Sequence, residues 1–125
     1  MRKRILLIDD EDLVVRSLSR LLGKGGYEVL VCRSGKEALN VVEQQDVDLI
    51  VCDVRMPEMS GIETIESIRK IYKKRERSSV PEILITGYAD ETLSKKAEEL
   101  RVAEYIYKPF DLKAFLACVA KNLKP

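Results

Sequence analysis

The feature that most constrains this chain is a rhythm. Five short apolar runs recur along it: Ile5–Ile8, Val29–Cys32, Leu49–Cys52, Ile83–Ile85 and Tyr105–Tyr107. Runs this short, rich in Ile and Val, predict strands buried on both faces of a sheet. Between them the apolar positions take a helical period. Val14, Leu18, Leu21 and Leu22 share one helical face, and Ala38, Val41 and Val42 another. Ile62, Ile65 and Ile68 make a third stripe, and Leu93, Ala97 and Leu100 a fourth. Leu112, Phe115, Leu116, Val119 and Leu123 make the fifth. Strand–helix alternation with short loops implies a parallel sheet with helices on both faces. Right-handed crossovers restrict the topology further. Five units are too few for a (βα)8 barrel. An open, doubly wound α/β sheet remains, in which function sits at the carboxyl ends of the strands.

Boundary residues agree with this division. Gly23, Gly25 and Gly26 end the first helix, since glycine accepts the left-handed conformation. Ser34 with Glu37, and Ser60 with Glu63, have capping-box spacing. Asp90 and Asp111 are expected N-caps. The charged run Tyr72–Ser79, "YKKRERSS", reads as a solvated helix end and loop, and as the most mobile stretch.

The bulk numbers set the class. A chain of 125 residues fits one domain, 1–125, with no repeat or linker, and can bury a core without staples. The net charge of +1 gives no general field to draw in DNA or an anionic membrane, so direct nucleic-acid or membrane binding is not expected. No apolar stretch has membrane-span length and no signal peptide is evident, so a cytoplasmic location is expected. Cys32, Cys52 and Cys118 form no CxxC pair and read as small buried apolar residues. Histidine is absent, which removes His-based acid–base catalysis, His metal ligands and a phosphohistidine on this chain.

The residues at the strand exits carry the chemistry. The first strand ends in Asp9 and Asp10, the third in Asp53, the fourth in Thr86, and the fifth in Lys108 followed by Pro109. The second ends in Arg33 and Ser34, an ordinary turn and cap. A lone Asp after a strand is usually a cap, a lone rim Lys is usually solvated, and a lone Thr there reflects β-propensity. Together on one rim they fit a single chemistry. Three grouped carboxylates need a counterion, and Mg2+ (or Mn2+) binds through such oxygens while sharing phosphate oxygens. A carboxylate can also be the nucleophile that forms an aspartyl phosphate. A metal, a lysine and a hydroxyl would neutralise the transferring phosphoryl oxygens. Glu11 and Asp12 read as ordinary first-turn acids favoured by the helix dipole.

The blocks "LLIDDED", "LIVCDVRMPEMSG", "ILITGYAD" and "YIYKPF" resemble the signature blocks of response-regulator receiver domains of two-component signalling. The resemblance runs from Arg4 to Leu123 and is to chemotaxis-type receivers and to receivers of transcriptional activators or hybrid kinases. It implies a flavodoxin-like (βα)5 three-layer sandwich with a five-stranded parallel sheet of order 2-1-3-4-5. It implies Asp53 as phosphoacceptor, with Mg2+ on Asp10, Asp53 and the Arg55 backbone carbonyl, assisted by Asp9 through water. Lys108 would pair with the acids and then with the phosphoryl group, and Thr86 would hydrogen-bond that group. Tyr105 would be the aromatic switch that follows Thr86, and the Lys108–Pro109 bond would be cis. Arg55 and Tyr88 occupy positions that tune hydrolysis of the acyl phosphate: bulky side chains there would block water, although Arg55 reads equally as a solvated rim charge. A small residue at Gly87 would leave room for the phosphoryl group, and a tight turn explains it as well.

The implied role is a signalling receiver rather than a turnover enzyme. The partners would be a sensor histidine kinase or a phosphotransfer protein, and a homodimer through the face made by the fourth helix, fifth strand and fifth helix. Rival classes fit less well. A haloacid-dehalogenase-type enzyme wants an acid two residues after the nucleophile, where Arg55 stands. A flavin or nucleotide binder wants a Gly- or Ser-rich first loop, where "DDEDL" would repel phosphate. A receiver-shaped module without phosphorylation would have lost site residues, and all are present.

Overall fold

The structure is a computed structural model that describes residues 2–87 and 91–124. Its strands are β1 (Arg4–Ile8), β2 (Glu28–Cys32), β3 (Leu49–Asp53), β4 (Glu82–Thr86) and β5 (Glu104–Tyr107). Its helices are α1 (Asp12–Lys24), α2 (Gly35–Gln44), α3 (Gly61–Lys74), α4 (Glu91–Glu99) and α5 (Leu112–Asn122). The strands form one parallel sheet of order β2-β1-β3-β4-β5, as expected.

Side-chain alternation along each strand sends its residues to two opposite cores. Leu6, Ile8, Ile50, Cys52 and Leu84 face one core, which α2, α3 and α4 cover with Ala38, Val42, Ile62, Ile65, Ile68 and Ala97. Ile5, Leu7, Leu49, Val51, Ile83 and Ile85 face the other, which α1 and α5 cover with Leu18, Leu22, Phe115 and Val119. Strands β3 and β4 are buried along their whole length. The edge strands differ from expectation. β2 and β5 are mostly half-buried, because each has a neighbour on one side only.

Two helical stripes also shift. Val15, absent from the expected α1 face, is buried with Leu18 and Leu22, while Val14 and Leu21 pack at its margin. Leu112 is 47% exposed, and the buried face of α5 is carried by Phe115 and Val119. At the helix ends, Ser60 and Glu63 form a complete capping box. Ser34 accepts from the Glu37 N–H without the reciprocal bond. Asp111 caps α5 by accepting from the Lys113 N–H. Asp90 lies outside the described residues. Helix α1 runs through Gly23 and closes at Gly25, and the left-handed position is Gly26, at φ 91°.

The charged run after α3 is anchored rather than merely solvated. Both Arg77 terminal nitrogens donate to the Val42 carbonyl, at 2.8 and 2.9 Å. Its guanidinium lies 4.5 Å from the centre of the Tyr72 ring, which is itself buried. These contacts combine a charge-assisted hydrogen bond with a cation–π contact.

A second anchor joins three elements at the amino-terminal edge of the sheet. Glu82, the first residue of β4, has a side chain only 8% exposed. Arg69 of α3 grips it with two nitrogens and donates a third bond to the Leu100 carbonyl just after α4. A carboxylate so placed is tolerable only while paired. Arg69→Met should therefore cost about 2–4 kcal/mol of unfolding free energy, and adding Glu82→Met should recover much of it. Urea unfolding of the double-mutant cycle measures this. Additive losses would show that the pair is not coupled.

Candidate functional site

The site is built by strand register. Ile8 of β1 pairs with Cys52 of β3, so the next residue of each strand, Asp9 and Asp53, emerges side by side. Asp9 is held from behind by its N–H, which donates to the Cys32 carbonyl at 3.0 Å. Val54, following Asp53, donates to the Ile85 carbonyl at 3.0 Å and accepts from the Gly61 N–H at 2.8 Å. Gly61 packs so tightly that a Cβ would collide with the Asp53 carbonyl oxygen. No other residue lets the start of α3 approach the Asp53 strand this closely.

Asp9, Asp10 and Asp53 each bring a carboxylate oxygen within 4.8 Å of the others. Asp9 and Asp53 are 1% and 3% exposed, whereas Asp10 faces solvent. Asp9 Oδ1 accepts from the Glu11 N–H at 2.9 Å. Its other oxygen, Oδ2, is buried and has no hydrogen-bond partner. A buried, unpaired carboxylate oxygen beside two more carboxylates suits a hard divalent cation, whose ligands are oxygens. The donor set therefore fits Mg2+ or Mn2+.

Lys108 supplies the cation that the chain itself brings. Its N–H donates to the Thr86 carbonyl at 2.9 Å, which sets the start of the loop after β5. The Lys108–Pro109 bond is cis. The Lys108 Nζ lies 3.5 Å from Asp53 Oδ1 and 3.2 Å from Glu11 Oε1. Glu11 is thus a site residue, although residue type and position alone put it among ordinary helix acids. Only its neighbour Asp12 behaves that way, pairing with Arg16 and Arg33 at 2.9 and 2.8 Å. Arg33 likewise does more than end a strand.

Thr86 is buried, and its hydroxyl donates to the Gly87 carbonyl at 2.9 Å. Among the described residues, a Cβ at Gly87 would meet nothing within 4 Å. Tyr105 pairs in register with Leu84 and packs, half-buried, against the core under α4. Arg55 is exposed and borders a cavity of about 600 Å3 together with Gly87, Lys108, Phe110 and Leu13. Tyr88 lies outside the described residues.

Electrostatics follow from burial. Asp53 is pushed up from 3.8 to about 6, first by desolvation and then by the Asp9 charge, with Lys108 opposing. Asp9 is also raised, again chiefly by desolvation, against the Glu11 N–H and Lys108. Burial alone would lower Lys108, but the Asp53 and Glu11 carboxylates outweigh it and raise it overall.

Residues 5–120 match the model of the response regulator receiver domain. The chain belongs to that family. It is 34% identical over 121 residues to the regulatory protein AtoC of Escherichia coli K12, covering 97% of this chain and 25% of that protein. A CheY-like response regulator receiver domain protein from Methanospirillum hungatei superposes with a TM-score of 0.87 at 28% identity, covering 98% of this chain and 94% of that one. The receiver domain of a signal transduction histidine kinase from Syntrophus aciditrophicus gives 0.86 at 27% identity, over 97% and 89% of the two chains. The chain spans about a quarter to a half of the length of the curated relatives it matches. Among the described residues, no helix is long and apolar enough to cross a membrane.

The raised carboxyls have a consequence for stability. A carboxyl whose folded pKa lies above its unfolded value favours folding when protonated, and that contribution is lost as pH rises through the folded value. For Asp53 the loss falls between 3.8 and about 6. In metal-free buffer, Asp53→Asn should therefore gain about 1–2 kcal/mol over wild type at about pH 7.5, allowing for coupled titration with Asp9, and the gain should fade toward about pH 4. Chemical denaturation in EDTA tests it. Equal stabilities at the higher pH would contradict it.

Proposed function

We propose that residues 1–125 act as one receiver domain whose Asp53 accepts a phosphoryl group from a phosphohistidine on a sensor histidine kinase or phosphotransfer protein. The observation that carries this reading is the juxtaposition of three carboxylates with Lys108 at adjacent strand ends, one carboxylate oxygen of Asp9 being buried and unpaired. Residues 1–125 contain no histidine, so the donor histidine lies outside them.

Asp10, Asp53 and the Arg55 backbone carbonyl would hold Mg2+ or Mn2+, with Asp9 acting through the metal's water. Bound there, the cation would neutralise the carboxylates and the phosphoryl oxygens. The chain's own groups do the rest. An Asp53 carboxylate oxygen attacks phosphorus, an O–P bond forms, and the donor's P–N bond breaks. Burial of Asp53 favours its neutral form, so its ionisation depends on the surrounding positive charge. Lys108 supplies part of that charge and lies within reach of the phosphoryl position. The Thr86 hydroxyl, now donating to the Gly87 carbonyl, turns to a phosphoryl oxygen.

The switch uses the same threonine. Phosphorylation adds charge and acceptor oxygens, and a two-state element converts them into a shape change. Thr86 moves toward the phosphoryl group, and the Tyr105 ring follows into the space vacated, changing the face made by α4, β5 and α5. That face is where output or homodimer contacts are read. This is a signalling cycle, in which self-catalysed transfer is followed by slow hydrolysis. Arg55, on the cavity shared with Lys108 and Gly87, hinders the attacking water together with Tyr88.

Acetyl phosphate with Mg2+ should label wild type on Asp53 and leave Asp53→Asn unlabelled. Asp10→Ala should retain the fold yet slow labelling by more than about tenfold and weaken Mg2+ binding in parallel. Label of equal extent on Asp53→Asn would overturn the reading. Arg55→Ala combined with Tyr88→Ala should shorten the phosphorylated lifetime several-fold, followed by loss of label. An unchanged lifetime would remove Arg55 and Tyr88 from the role.

A further inference from the structure

Lys108 is shared between two anions of unequal surroundings. Asp53 has a side chain 3% exposed, while that of Glu11 is 59% exposed and lies nearer, at 3.2 Å against 3.5 Å. Glu11 does not arrive there by chance of a long side chain alone. Its N–H is fixed by Asp9 Oδ1, and its extended backbone makes it the N-cap of α1. An N-cap acid ordinarily uses its carboxylate to accept from the first helical N–H groups. Glu11 makes no such bond and reaches instead across the rim to Lys108.

We propose that Glu11 is a positioning residue that holds the Lys108 ammonium in the resting state, so that phosphoryl arrival at Asp53 exchanges one anionic partner of Lys108 for another. This rests on Asp53 being the phosphoacceptor. The exchange is favourable on charge. The phosphoryl group of an aspartyl phosphate on the buried Asp53 carries nearly two negative charges in place of the carboxylate's one, whereas the Glu11 pair is screened by water. Glu11 therefore weakens the site for an incoming anion in two ways. Its own charge repels the anion, and it competes for the ammonium that the anion needs. Its place beside Asp9 makes it a control on how readily the site is loaded, separate from the Arg55 and Tyr88 positions that bear on hydrolysis.

The test compares wild type, Glu11→Gln and Glu11→Asp as full chains. The probe for the phosphoryl group is beryllofluoride, titrated at saturating Mg2+ so that any change in metal affinity drops out. The second readout is the Lys108 ammonium signal in proton–nitrogen NMR, assigned with Lys108→Arg and recorded without metal or beryllofluoride. Glu11→Gln should bind beryllofluoride about three- to tenfold tighter at low ionic strength, with the gap closing in concentrated salt. Its resting Lys108 signal should differ from wild type and move less on beryllofluoride binding. Glu11→Asp, which keeps the charge, should stay within about twofold of wild type. Equal affinities for wild type and Glu11→Gln, or identical resting Lys108 signals, would overturn the role of Glu11. A wild type that neither binds beryllofluoride nor labels at Asp53 would instead overturn Asp53 as phosphoacceptor, and the resting NMR signal separates the two failures.

Discussion

Two carboxylates that water would keep apart are held together by backbone register. Asp9 and Asp53 follow directly on the paired residues Ile8 and Cys52, and both are buried. The strand ladder and the apolar cores beneath it impose this placement, because a slip of register would turn each strand's core residues to the wrong face. The packing of the sheet thus offsets the repulsion, and the burial it imposes is the main cause of the upward shift of both acids, with the Asp9 charge adding to that of Asp53. Everything around the pair answers it: an unpaired Asp9 oxygen suited to a cation, a lysine within ion-pair distance, and a third carboxylate left in solvent.

The same sheet connects the acids to the rest of the molecule through Thr86. Its carbonyl receives the Lys108 N–H, and its hydroxyl donates locally to the Gly87 carbonyl. One residue therefore fixes the lysine through its backbone while its side chain stays available for another acceptor. Tyr105 lies on the next strand in register with Leu84, two residues before Thr86, against the core that α4 covers. At the far edge, Arg69 ties α3, β4 and the chain after α4 into one charged contact. The carboxyl edge thus carries the grouped acids with Lys108, and the amino edge carries this charged anchor.

Much of this is legible in the order of residues alone. Short Ile- and Val-rich runs mark the strands, and β1, β3 and β4 match them because residues buried on two faces leave an unbroken apolar signal. The same signal overstates the burial of the edge strands, since an apolar run does not say how many neighbours a strand has. Helical period omits Val15 from the α1 stripe and wrongly includes Leu112 in that of α5, because it defines a stripe but not which part of it meets the sheet. Arg77 looks like one charge in a solvated run. Its docking on Val42 and Tyr72 joins the ends of two helices, which no local pattern encodes.

Glu11 marks the same boundary within the site. By itself the sequence determined that acids stand at the exits of the first and third strands, that Thr86 and Lys108 stand at the exits of the fourth and fifth, and that the fold is a parallel α/β sheet. Each of these depends on residue type and spacing along the chain. Only the tertiary structure decided that Asp9 and Asp53 are buried while Asp10 is not, and that Lys108 divides itself between Asp53 and a glutamate 97 residues earlier. Burial and ion pairing depend on what other segments occupy the surrounding space, and that is settled only when the strands have taken their order in the sheet.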